Sequence, residues 1–446
     1  VIDPIDALTL EPPKSWRVLP FWSLFRREKE TGFPEEELLS VYRDYGVVPT
    51  ASRDDNHNKP SEDLSAYQLV TEGALVTNKM KAWQGSISIS RFRGIVSPAY
   101  YVYRPLSDEN DQFLHYLLRS EPYIALYRRI SKGIRVSQWD LEHEALRNIP
   151  LLIPNLSTQK LIADFLDRET ARIDALIAKK AAFAELILAR EEASFLAAVT
   201  GKTLSGRKVN SGVDWIGDLP EGWLAPKFTM VARQETGHTP SRQDPSYWVP
   251  EDCVIPWMSL ADVWQLRSGE KVYLDDTSEK ISAFGMANSS ARLLPKDTVV
   301  LSRTASVGFV AIMGCPMATT QDFAAWICGP TIRPKFLYYV LRAMKPEFRR
   351  LMMGSTHQTI YMPDIRSFRT PVPPLDEQDR IIQTLDASIG TYRQVHGKVA
   401  ASVEKLREYR AALITAAVTG QIDVDTYGKA GATSATLDRI DEEAAQ

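Results

Sequence analysis

A chain of 446 residues exceeds what one hydrophobic core organises, so two or three domains are expected. With 44% hydrophobic and 24% charged residues it is an ordinary globular composition, and no run of about 18 apolar residues exists to cross a bilayer. The net charge of -3 gives no global attraction to polyanions, and Cys253, Cys315 and Cys328 lack CxxC or CxxH spacing, which speaks against a disulfide framework or a zinc site.

The opening VIDPIDALTL carries two acids and no basic stretch, unlike a secretory signal; a reducing cytoplasm is the expected compartment. LEPPKSW (10–16) then introduces a first globular domain, residues 1–153. Within it Asn56, His57, Asn58 and Lys59 form a polar loop. GALVTNKMKAWQGSISI (73–89) reads as strand, basic turn and alternating strand, the turn offering Asn78, Lys79, Lys81, Trp83 and Gln84. Between 66 and 135 ten bases face five acids, a local excess suited to tracking phosphates.

Residues 154–201 form a long helical segment, with Pro150 and Pro154 barring an earlier start, Ser157 as expected N-cap and Gly201 as stop. A linker, 202–213, leads through GDLPEGW (217–223) into a second globular domain, 202–372. There His238, Thr239, Ser241 and Arg242 lie in a Gly/Pro loop, suited to backbone contacts or to fixing that loop. PKDTVVLSRTASVGFVAI (295–312) repeats the strand, turn and strand frame with Ser302, Arg303 and Thr304 in the turn; Gln321 follows, and His357 and Gln358 are further candidates. Bases again outnumber acids from 284 to 370, eleven to four. Arg303 suits a bidentate pair to guanine and Gln321 suits adenine, with a phosphate contact or plain solvation as the open alternative for each.

Residues 373–420 are a second long helix, with Asp376 as expected N-cap. It matches 154–201 at one offset of 219, with 16 identities in 48 positions and AAVTG closing both copies. Each helix carries a stripe at coiled-coil spacing: Ile162, Leu166, Ile173, Leu176, Phe183 and Ile187 in the first; Ile381, Leu385, Tyr392, Val395, Val399, Leu406, Tyr409 and Leu413 in the second. The expected fold is therefore α+β, two globular domains separated by two long helices packed as an intramolecular antiparallel coiled coil. The tail, 421–446, has few apolar residues and is expected to be disordered or lightly docked.

WIGDLPEGW (215–223), TGHTPSRQDPSYW (236–248) with IPWMSLADV (255–263), LSRTASVG (301–308), TTQDF (319–323) and PVPPLDEQDRI (371–381) occur here in one order. Together with the duplication they resemble the specificity subunits of type I restriction-modification systems. The resemblance implies two target-recognition domains that read the halves of a split DNA sequence, joined by helices acting as ruler and docking site. It implies as partners double-stranded DNA, two adenine methyltransferase subunits and ATP-dependent restriction subunits. S-adenosylmethionine and ATP with magnesium would belong to those subunits, with no cofactor or metal in this chain and no membrane partner. The first domain has no counterpart of TGHTPS, and DRETARIDALIAKK differs from DASIGTYRQVHGKV, so the two docking faces are expected to differ.

A catalytic reading has little to stand on in the sequence. GxxxxGK[ST], GxGxxG after a strand, an NPPY-like clamp and HExxH are all missing, and the six histidines are scattered. Asp275, Asp276 and Asp322 have no lysine-bearing nuclease partner motif. A non-catalytic reader is expected; an adaptor of another methyltransferase-based defence system and a DNA-modifying enzyme remain the alternatives.

Overall fold

The computed structural model describes residues 12–43, 45–53, 60–135, 138–269, 271–352 and 358–445. The chain divides into two compact units, Val1–Ala182 with Lys398–Gln446, and Phe183–Gly397.

In the first unit a four-stranded antiparallel sheet runs Phe25–Glu28, Tyr100–Pro105, Leu75–Asn78, Ile87–Ile89 in space. Arg17–Pro20 pairs with Pro150–Ile153, bringing the start and finish of the domain together. In the second unit a five-stranded sheet has the order Ala232–Thr236, Phe323–Cys328, Val299–Ser302, Val310–Met313, Tyr273–Leu274. Lys280–Ile281, Ile255–Met258 and Ala318–Thr319 make a smaller sheet beside it. Both strand, turn and strand expectations are met: Leu75–Asn78 pairs with Ile87–Ile89, and Val299–Ser302 with Val310–Met313.

The two repeated segments are single helices, Leu156–Val199 and Leu375–Val418. Their caps differ from the sequence expectation. Asn155 caps the first, its Oδ1 accepting from the Thr158 amide at 2.9 Å, while Ser157 lies inside and donates to the same oxygen. The second starts at Leu375, so Asp376 sits within the first turn, where its charge favours the positive helix end. In both copies the helix starts two positions earlier than side-chain preference suggests, directly after Asn155 and Pro374, while Ile153 and Pro373, each preceding a proline, stay out of the helix.

AAVTG ends both helices in one motif. Lys202 N–H donates to Ala197 O, and Gln421 N–H to Ala416 O, each at 2.9 Å, with Gly201 and Gly420 at φ +65° and +72°. A Cβ on Gly201 would meet Pro220 at 2.6 Å and Trp223 at 3.1 Å; one on Gly420 would meet Pro13 at 2.5 Å and Trp16 at 3.1 Å. The Pro-x-x-Trp signatures thus clamp helix ends, and that preceding the first domain closes on the end of the second helix.

The first helix passes out of the first unit and the second passes back into it, so their shared stretches run in opposite directions. Within the first unit Ile162, Leu166, Ile173, Leu406 and Leu413 are buried in one core, with Leu176 and Tyr409 packed on it. Arg410 pairs with both carboxylate oxygens of Asp174, at 2.8 and 3.1 Å. Val399 is half-buried. Within the second unit Ile187, Ile381 and Leu385 are buried and Tyr392 and Val395 half-buried. Phe183 departs from the expected seam: it is 49% exposed. From there the buried stripe runs through Ile187, Glu191, Phe195 and Val199. A helix of 3.6 residues per turn drifts about 20° per heptad against a strict 3.5 repeat, which rotates Phe183 off the seam and Phe195 onto it.

The tail is ordered, in helices Val424–Lys429 and Ala432–Ala445, and packs on the first unit. Val424, Leu437 and Ile440 are buried, together contributing on the order of 5 kcal/mol. Leu437 and Ile440, one turn apart on the longer helix, and Val424 on the shorter one suffice to dock it, although its overall composition is polar.

Candidate nucleic-acid interface

The second unit gathers most of its sequence candidates at one end of the five-stranded sheet. Gly237 passes so close to the strand Ala318–Thr319 that a Cβ would lie 1.7 Å from Thr319 O, and His238 N–H donates to the same oxygen at 3.0 Å. This crossing carries Thr239 to Gln321, whose Oε1 accepts from the Thr239 hydroxyl at 2.9 Å. Arg303 Nε donates to Gln321 O at 3.0 Å, and Thr304 Oγ1 donates to Asp322 Oδ1 at 2.5 Å. Gln358 O accepts from the Ala305 amide at 2.9 Å. His238, Thr239, Arg303, Thr304, Gln321 and Gln358 therefore form one polar surface. Among the described residues nothing pairs with the terminal guanidinium nitrogens of Arg303, which leaves both donors for a ligand.

Other candidates have structural work. Ser302 is fully buried, its Oγ donating to Ser306 O and accepting from the Phe309 amide at 2.9 Å, so it shapes the turn and has no exposed face. Arg242 lies over the rings of Trp248 and Trp257, at 4.0 and 5.2 Å, and is neutralised by Glu279 at 2.6 Å. Ser241 is exposed, and its carbonyl accepts from Trp248 Nε1 at 3.0 Å. His357, Asn56 and Lys59 lie outside the described residues.

In the first unit the 78–86 turn is braced. Asn78 Oδ1 accepts from the Met80 amide at 3.1 Å, and Trp83 Nε1 donates to Met80 O at 3.1 Å. Trp83 packs on Trp139, ring centroids 5.3 Å apart, so it fixes the turn against the hairpin Ser131–Arg135 with Gln138–Leu141. Lys79 reaches Asp140 at 3.4 Å, Lys81 is exposed, and Gln84 is half-buried.

Sequence reading missed a groove of about 1060 Å³ along the edge strand Ala232–Thr236. Arg233, Arg292 and Arg366 line it, and Glu235 holds Arg233 at 2.6 Å and Arg292 at 2.8 Å. Three guanidinium groups and one carboxylate along the groove leave net positive charge beside His238, suited to a phosphate backbone. Alternation Arg233, Glu235 within a short strand was the available signal; its edge position depends on long-range pairing that local pattern does not contain.

The model of the type I restriction modification DNA specificity domain matches residues 23–183 and 237–404. The chain belongs to this family. The specificity subunit of the type I restriction enzyme MjaIX from Methanocaldococcus jannaschii is 28% identical over 172 residues, 38% of either chain. That of EcoR124I/EcoR124II from Escherichia coli is 24% identical over 62% of either chain. The matches thus span about two fifths and three fifths of these relatives. A solved chain described in work on complex assembly and conformational transition of the type I restriction-modification system has TM-score 0.65 at 18% identity. That likeness covers 92% of this chain and all of that one, and it carries the fold. As in this specificity family, the fold is α+β with two repeated domains and two long helices. Among the described residues no helix is long and apolar enough to cross a membrane.

Proposed function

We propose that this chain is the DNA-specificity subunit of a type I restriction-modification complex, reading an asymmetric bipartite target and scaffolding the modifying subunits. The observation that carries the reading is a duplicated frame, matched twice by one family model, holding two different sets of polar loops. Residues 1–153 and 202–372 are the two readers, 154–201 and 373–420 the ruler and docking helices, and 421–446 a tail. In the second reader Arg303 donates to guanine O6 and N7, Gln321 offers its amide to a neighbouring base, and the Arg233, Arg292 and Arg366 groove follows the backbone. In the first, Lys79, Lys81 and Gln84 are the contacts, while Asn78 and Trp83 hold their turn.

The chain itself performs no chemistry. Two adenine methyltransferase subunits supply S-adenosylmethionine and flip the target base, which requires a duplex held in a fixed frame; restriction subunits supply ATP hydrolysis, and the complex works in the cytoplasm. The test is incubation of the purified chain with methyl donor and DNA, with and without a methyltransferase subunit. Sequence-specific methylation only in the mixture is expected. A methylated product from the chain alone overturns the reading.

A further inference from the structure

The duplication makes two copies of one helix-pair surface, and the chain treats them differently. In the first unit the tail lies across it. Tyr427 meets Phe165 edge-on at 6.1 Å and hydrogen-bonds the Tyr409 hydroxyl at 3.1 Å; Arg172 reaches Ser434 at 2.8 Å, and Lys405 pairs with Glu443 at 2.6 Å. Lys180 holds Asp441 at 2.8 Å.

Shifting by 219 residues locates the same surface in the second unit. Phe165 and Arg172 become Thr384 and Thr391, and Lys405 and Tyr409 become Leu186 and Arg190; all four second-unit residues are exposed. Ser402 is buried at 2% exposure, whereas its counterpart Phe183 stands 49% exposed and neighbouring Leu186 66%. The covered copy is basic and takes an acidic helix bearing Asp438, Asp441, Glu442 and Glu443. On the bare copy Thr391, Val399 and Leu186 stand where Arg172, Lys180 and Lys405 do on the covered one, so the cations that hold the tail's acids are replaced by uncharged side chains, with Phe183 and Leu186 exposed.

We propose that the helix Ala432–Ala445 is a built-in occupant of one of two repeat-related docking faces, so that methyltransferase subunits load in order. The first loads on the bare face around Phe183 and Leu186; the second must displace the tail. This rests on the specificity-subunit reading, in which the long helices dock those subunits. A closed tail lowers the second apparent affinity by the reciprocal of its open fraction, about tenfold or more when it is open a tenth of the time or less.

The experiment titrates the full chain with the adenine methyltransferase subunit, counting bound copies by native mass spectrometry and following hydrogen exchange. Wild type should pass through a persistent one-to-one complex, and exchange across 432–445 should rise only on second loading. D441K/E443K, which loosens the tail without touching the bare face, should bring the second affinity to within about twofold of the first. Leu186→Asp should abolish the first loading step, and exchange protection of the tail in that variant reports that the chain is folded. Equal loading of two copies with the tail still protected overturns the inference, as does unchanged first loading in Leu186→Asp. No association by any variant overturns the specificity-subunit reading, and this proposal with it.

Discussion

Gln159 and Gln378, identical under the 219-residue offset, are both fully buried and do the same job. Gln378 accepts from the Arg333 amide at 2.8 Å and donates to Pro373 O and Thr331 O at 2.9 Å; Gln159 accepts from the Asn110 amide and donates to Pro154 O at the same lengths. Each ties a domain to the first turn of its long helix. Gln378→Ala strands a buried amide and two carbonyls, and should cost about 2–3 kcal/mol in urea unfolding. His115 is half-buried against Ser88, 3.0 Å from its Oγ. Burial, with Arg119, Arg91 and Arg410 nearby, lowers its pKa from 6.5 to about 3. The folded value lies below the unfolded one, so its contribution is intact above pH 6.5 and is lost as pH falls towards 3. Stability should fall between pH 6.5 and 5 by up to about 1.4 kcal/mol per unit in wild type, and less steeply in His115→Gln; equal slopes would contradict this. Arg303→Ala should weaken DNA binding by about 1–3 kcal/mol and relax one base position if it reads a base. A uniform loss with a shallower salt slope would assign it to phosphate instead.

At the scale of elements, the long helices were legible because Pro, a seam of apolar residues and AAVTG mark their limits in the sequence itself. What failed was local geometry. Both helices start two positions before the residues that side-chain preference favours, and accumulated drift put Phe195 rather than Phe183 in the core. The tail was misjudged because Leu437 and Ile440 are sparse in composition yet adjacent on a helix. Gly420→Ala would force a side chain against Pro13 at positive φ and should lower the melting temperature of the chain by several degrees, the scale of a 1–2 kcal/mol strain. If the helices are a ruler, a four-residue insertion in each, after Ala182 and after Gly397, adds about 6 Å at 1.5 Å per residue. Methylation should then need a spacer one or two base pairs longer, at about 3.4 Å per pair, between unchanged half-sites. Full activity at the original spacing would remove the ruler.

For the whole molecule, one gene duplication explains why two helices of equal length and two matched helix ends recur at an offset of 219 residues, each end closed by a Pro-x-x-Trp clamp. Such features are readable because they repeat. The binding surfaces were readable only in part, since the contact of Thr239 with Gln321, or the approach of Gly237 to Thr319, joins residues more than eighty positions apart. The central claim is that two independent readers share one scaffold. It is tested most directly by mapping methylated adenines on genomic DNA exposed to the assembled complex, with residues 17–149 of this chain exchanged for those of another member of the family. The account predicts that one half-site changes while the other half-site and the spacer stay as they were. A change in both half-sites, or in neither, would contradict it.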